Sequence, residues 1–230
     1  MTRVLQPELL DTLPADNPEA ARSRADLRRV NAWMGHRRIL LRTLRTLPAM
    51  NVGRIVELGA GDGALALSLA RVLSARWPNI EITLLDQQRL VARETEESFR
   101  RLGWRPRVVQ ADAFDWLDAE SQTADLILAN LFLHHFKEGE LQRLLRAVAE
   151  RTTWFVALEP RRHVVPRLGC ELLWLIGCNR VTRHDARLSV RAGFRGQELS
   201  ALWPGLNGWR LREQSTGMFS HLFMATRDSR

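Results

Sequence analysis

The chain has 230 residues, 45% of them hydrophobic, and a formal charge of +8. This suits one globular domain with an ample core, and no apolar run approaches the ~18 uninterrupted residues that a membrane-spanning helix requires. Lys137 is the only lysine, so the positive charge is almost all arginine, and it is spread without a block of about five like charges, which permits a nucleic-acid partner without favouring one.

The opening stretch, MTRVLQPELLDTLPADNPEA, mixes acidic and proline residues and has no apolar signal core. Residues 17–48 carry apolar side chains at Leu27, Val30, Trp33, Met34, Ile39, Leu40, Leu44 and Leu47, close to helical spacing. Pro18 suits a helix start, Gly35 a break and Pro48 a stop.

An alternation begins at residue 53. GRIVEL reads as a buried strand and 62–76 as a helix; IEITLLD is a strand and 88–102 a helix. RVVQAD is a strand followed by a short turn or helix. ADLILAN is a strand, 138–150 a helix and TTWFVALEP a strand. Short apolar strands alternating with amphipathic helices predict an α/β fold, a parallel sheet with helices on both faces. Beyond Pro160, residues 161–194 give one or two helices and GQELSALWP a short one. GWRLREQST and GMFSHLFMATR form a closing antiparallel hairpin around Ser215, Thr216 and Gly217. Cys170 and Cys178 fall in one expected helical segment, where eight residues span ~12 Å, too far for a disulfide; a reduced, cytoplasmic setting fits.

The stretch Glu57-Leu58-Gly59-Ala60-Gly61-Asp62-Gly63 lies where the first strand gives way to a helix. Glycine permits positive φ and close approach of a ligand to the backbone, and a helix N-terminus offers free N–H groups. This is a ligand cradle at the carboxyl edge of a parallel sheet, or else merely a tight strand–helix turn. The glycine spacing is neither that of a dinucleotide fingerprint nor that of a nucleotide-triphosphate loop. Glu57 would repel a pyrophosphate and suits a ligand bearing an ammonium group.

Four segments in order, VELGAGDG, LLDQQ, VVQADAF and ADLILANLFLHHF, resemble the motifs of class I S-adenosylmethionine-dependent methyltransferases across residues 53–136. The resemblance implies a Rossmann-like, seven-stranded, mostly parallel sheet with an antiparallel closing strand. It also implies a division into a helical N-terminal cover (1–50) and a cofactor-binding domain (51–230), with 160–205 as a lid over the acceptor site. By resemblance, Glu57, Gly59, Ala60, Gly61 and Gly63 cradle the methionine portion of S-adenosylmethionine. Asp86, with Gln87 beside it, accepts the ribose diol; Asp112 and the Ala113 N–H meet the adenine; Asn130 and Leu131 line the sulfonium side. Asp86 and Asp112 each have a structural alternative as a helix cap.

The acceptor needs alignment and, for a hydroxyl, removal of a proton. His134 and His135, directly after the fourth strand, are the candidate bases, with His135 preferred, because an imidazole titrates near neutrality; capping and sheet packing are their structural alternatives. Glu159, ending the fifth strand, is a candidate pocket carboxylate. His184 and Asp185 open an expected helix, Asp185 as a dipole partner and His184 facing either pocket or solvent. His134, His135 and Glu138 cluster in sequence, but Leu131 and His134 stand where metal-using relatives carry glutamates, so no metal is expected. VVPRLGCELLWLIGCN together with Trp33 and Met34 forms either an apolar roof, which suits a small aromatic acceptor, or ordinary core. Asn130 is followed by Leu131 and Phe132, unlike the nucleic-acid amino-methyltransferases. The expected function is methyl transfer to a hydroxyl, less so a nitrogen or carbon, of a small hydrophobic molecule. The alternatives are an RNA or protein methyltransferase and a non-catalytic binding module.

Overall fold

The computed structural model describes residues 2–14, 17–48, 52–171, 173–205 and 207–228. The expected boundary between a cover and a main domain, at residues 50 and 51, lies outside the described residues, as does Leu172 of the expected roof.

A short helix α1 (Leu9–Thr12) precedes α2 (Pro18–Trp33) and α3 (His36–Leu44). Asn17 caps α2 by accepting the Glu19 and Ala20 N–H groups, with Pro18 at the first helical position. Gly35, at φ +73°, makes the break before α3. The alternating region then gives β1 (Arg54–Leu58), α4 (Ala64–Leu73), β2 (Glu81–Asp86), α5 (Arg93–Arg101), β3 (Arg105–Gln110), α6 (Ala113–Ala119), β4 (Ala124–Asn130), α7 (Glu138–Arg151) and β5 (Thr152–Pro160). After it come α8 (Val164–Glu171), α9 (Arg180–Ala192), α10 (Glu198–Leu202), β6 (Trp209–Thr216) and β7 (Ser220–Arg227).

The strands form one sheet in the order β3-β2-β1-β4-β5-β7-β6. β1 to β5 pair in parallel, and β7 runs antiparallel to both β5 and β6. Alternation along the strands sorts the core into two layers. Ile55, Trp154, Val156 and Leu158 join α3, α4 and Phe99 of α5 on one face. Val56, Leu58, Phe155 and Ala157 join α6, α7 and α10 on the other. In α7 the residues Leu141, Leu144, Leu145 and Val148 are fully sealed at i, i+3, i+4 and i+7 spacing. Each contributes about 2 kcal/mol through burial.

Chain order reverses between β1 and β4. Such a switch point opens a crevice at the carboxyl ends of the strands. Leu58 pairs with Leu85 and with Ala129, so the glycine loop, Asp86 and Asn130 emerge side by side on that rim.

Several boundaries differ from expectation. The helix after β2 starts at Arg93, after a bend at Gln87 and Gln88 and an irregular stretch to Ala92, and β3 begins at Arg105. The cysteines do not share a helix. Cys170 lies in α8, whereas Cys178 follows a 3₁₀ turn (Leu173–Ile176) and Gly177 at φ +74°. Both are buried free thiols in a small cluster with Val30, Leu173 and Val190. Asn179 caps α9 through the Thr182 N–H, so His184 and Asp185 stand inside that helix and do not open it.

Candidate active site

At the switch point a cleft of about 610 Å³ opens, lined by Glu57, Gly59, Ala60, Gly61, Asp86, Gln87, Asp112, Ala113, Asn130, Leu131, His134 and His135. Of the expected site residues, Gly63 does not line it. Gly63 instead turns the chain into α4 at φ +72°.

The glycine loop carries consecutive constraints. Gly59 sits at φ +66°, and a Cβ there would meet the Phe132 ring at 2.5 Å. Gly61, at φ +54°, has nothing within 4 Å of the corresponding position. One glycine therefore lets the rim close against Phe132, and the other leaves bare backbone facing the cleft. Asp86 holds the loop: one carboxylate oxygen accepts the Gly61 N–H at 2.9 Å and the other the Gln88 N–H at 2.9 Å. A carboxylate offers about four acceptor sites, so these two bonds leave capacity for a diol. Asp112 caps α6 through the Phe114 N–H at 2.8 Å and accepts Gln87 Nε2 at 2.9 Å. The capping role and the cleft-facing position coexist in one side chain.

Glu57 is 4% exposed, and its Oε2 has no hydrogen-bond partner among the described residues. Burial, then the charges of Asp62 and Asp86, push its carboxyl up to about 8. An orphaned buried acceptor on a cleft wall is costly unless a cationic group satisfies it.

β4 ends in Asn130, whose Oδ1 lies 2.8 Å from His36 Nδ1. His36 Nε2 in turn lies 3.1 Å from Ser220 Oγ. His36 is fully buried, and desolvation lowers its pKa to about 4. Leu131 then adopts φ +53°, a conformation rare outside glycine and asparagine, and turns the chain into the short 3₁₀ turn Leu133–His135.

Glu159 does not face the cleft. It is sealed beneath this turn, where it accepts the Phe132 and Leu133 N–H groups at 3.0 and 2.9 Å and binds His134 Nδ1 at 2.8 Å. His134 is buried, with Glu8 Oε1 3.4 Å from its Nε2. Burial alone would lower the His134 pKa, but the Glu159 and Glu8 carboxylates outweigh it and raise it to about 9. The exposed His135 ring lies beside that of His134, at a centroid distance of 4.2 Å and tilted by 35°.

The N-terminal segment supplies the rest of the wall. Leu27, Arg28, Asn31 and Ala32 of α2 line the cleft, and Arg28 pairs with Asp62 of the glycine loop. Arg3 donates to the carbonyls of Ala192 and Phe136 at 2.8 and 2.9 Å and lies over the Phe194 ring. Asp185 accepts the Leu9 and Leu10 N–H groups, each at 2.9 Å. It thus holds α1 in place and lies away from the chemistry, and half-exposed His184 sits beside it. Among the described residues of 160–205, only Ser189 lines the cleft. The expected apolar roof is elsewhere: Leu168, Trp174 and Leu175 point to solvent, and Trp33 packs on Phe219. Glu8, Arg28 and His36 carried no periodic or motif signal, because each acts across a long sequence separation.

Residues 55–153 match the family described as a methyltransferase domain. The fold is shared with an O-methyltransferase family protein from Burkholderia thailandensis (TM-score 0.61, 16% identity, 94% of this chain and 62% of that one). It is also shared with mitomycin 7-O-methyltransferase MmcR (TM-score 0.60, 18% identity, 96% and 60%). A third likeness is to the plantazolicin methyltransferase BamL, solved with a triazolic desmethyl analogue and SAH (TM-score 0.66, 12% identity, 96% and 93%). The chain thus spans about three fifths of the first two structures. No curated protein matches the sequence. The match to the methyltransferase-domain family covers β1 to the start of β5, and the whole sheet has the fold of these methyltransferases. In this chain the sheet has seven strands, and α2 lies along the cleft at its rim.

Proposed function

We propose that the chain binds S-adenosylmethionine across the rim and transfers its methyl group to a hydroxyl of a small hydrophobic or aromatic acceptor. The observation that carries the reading is the unsatisfied Glu57 carboxylate beside bare Gly61 backbone, a pairing suited to an amino-acid ammonium and carboxylate. Asp86 and Gln87 would hold the ribose, Asp112 and Ala113 the adenine, and Asn130 with Leu131 the sulfonium side. When bound, the cofactor supplies an electrophilic methyl group. The protein's own residues orient the acceptor, keep water out beneath α2 and, at His135, stand ready to take the hydroxyl proton. Apolar Leu10, Leu27, Phe132 and Phe136 on the same walls favour an acceptor with a hydrophobic body. The O-methyltransferases that share the fold support oxygen as the methylated atom.

Isothermal titration with S-adenosylmethionine tests the first step. Stoichiometric binding is expected, weakened roughly 10- to 100-fold in Asp86→Ala through lost hydrogen bonds to a charged acceptor. No heat at millimolar cofactor removes the reading. A labelled-methyl assay against fractionated small-molecule and RNA pools then separates the acceptor classes. Label in RNA, with binding that falls steeply with salt, would replace the small-molecule acceptor with a nucleic acid.

A further inference from the structure

On the acceptor side of the cleft, three side chains from distant parts of the chain converge: Glu8, His134 and His135, with one ligand atom from each lying within 4.8 Å of the others. His134 Nδ1 is committed to the buried Glu159 carboxylate at 2.8 Å. That bond fixes the ring and directs Nε2 away from Glu159, and Nε2 is buried with no hydrogen-bond partner among the described residues. The nearest acceptor, Glu8 Oε1, stands 3.4 Å off, beyond the ~2.7–2.9 Å of a charge-assisted hydrogen bond. Tetrahedral coordination with bonds of ~2.0–2.1 Å places neighbouring ligand atoms about 3.3–3.4 Å apart, so the gap is that of two ligands on one ion. A carboxylate behind a histidine ligand is the usual means of fixing ring orientation and raising basicity. Glu8 is itself steadied by Ser189 Oγ, and exposed His135 completes the triangle within 4.8 Å.

We propose that Glu8, His134 Nε2 and His135 form a binding site for a divalent transition metal of zinc type, the ion displacing the Nε2 proton to solvent, with Glu159 as its positioning residue and a fourth position open to the cleft. Two imidazoles and one carboxylate with a vacancy are the donor set of catalytic zinc sites. The vacancy faces the space assigned to the acceptor. An acceptor hydroxyl bound there would lose its proton to water more readily, which makes His135 a ligand in the loaded protein and relieves it of the base role. That acceptor role rests on the methyl-transfer reading; the metal site itself does not.

The test uses tagless, chelator-treated full-length protein titrated with Co²⁺ and Zn²⁺. One equivalent should bind, with the intense visible bands of tetrahedral Co²⁺. Glu8→Gln and His135→Ala should each weaken binding at least tenfold. Glu159→Gln should weaken it ~10- to 100-fold and alter the Co²⁺ spectrum. Should Glu159→Gln fail to fold, the two surface-proximal variants still decide. Absence of one-to-one binding, or equal binding by all variants, overturns the site. Asp86→Ala should retain metal while losing cofactor. Cofactor binding without metal binding leaves the methyl-transfer reading standing and ends this one; metal binding without cofactor binding does the reverse.

Discussion

Glu57 concentrates the chemistry of the cradle in one carboxyl group. Its folded pKa of about 8 exceeds the ordinary carboxylate value, so between about pH 4.5 and 8 the folded state holds a proton that the unfolded chain has released. Stability contributed by that proton is lost as pH rises through this window. Glu57→Gln cannot ionise. Its thermal stability without cofactor should therefore gain on the wild type across the window, by the order of a few kcal/mol at pH 8. The same substitution should weaken S-adenosylmethionine binding at least tenfold, because the ammonium loses its counter-charge. Parallel melting curves and titrations check both halves, and a variant that melts like the wild type at every pH while binding normally would remove Glu57 from the site. This residue was legible in the sequence because it directly precedes the glycine cradle. The Asp86 and Asp112 contacts were only half legible, since each side chain serves the backbone as well as the rim.

At the scale of elements, the alternating strands and helices were readable because their apolar period matches their geometry. ADLILAN and TTWFVALEP coincide with β4 and β5 to the residue. The residues before α2 were not readable. They have no periodicity, and their structure comes from partners far away, as Asp185 shows by holding Leu9 and Leu10 across 176 and 175 residues. Residues 160–205 were hard to read for a related reason. Residues 160–205 contain the longest apolar text outside the sheet, but Leu168, Trp174 and Leu175 face outward, and the cleft takes its cover from α2. Asp185→Ala strands both N–H groups and should release this segment. Hydrogen exchange over residues 2–12 should accelerate ~10- to 100-fold, corresponding to about 1–3 kcal/mol of local stability, with little change in β1 to β5. Unchanged protection there would show that Arg3, Val4 and Glu8 hold it without Asp185.

At the scale of the whole molecule, His36 ties α3 to two strands of the sheet, through Asn130 on β4 and Ser220 on β7. Its folded pKa of about 4 lies below the ordinary histidine value near 6.5, so the unfolded chain binds a proton first. Stability from this group is complete above about pH 6.5 and is lost as pH falls towards 4, by about 3 kcal/mol for a shift of that size. His36→Gln keeps a neutral polar side chain that does not titrate. Its stability should decline less than the wild type's between pH 6.5 and 4, measured by urea midpoints at fixed ionic strength. Identical declines would place the acid sensitivity elsewhere.

The contacts of Arg3 and Glu8 also set an order of events at birth. Both residues leave the ribosome before any strand of the sheet exists, yet Arg3 waits for Ala192 and Glu8 for Ser189. A nascent chain released near residue 160 would hold the glycine loop and β1 to β5 before Ala192 and Ser189 exist to anchor Arg3 and Glu8. Pulse-labelled refolding should accordingly find residues 2–10 gaining protection last, after the sheet; protection of this segment ahead of β4 would refute that sequence.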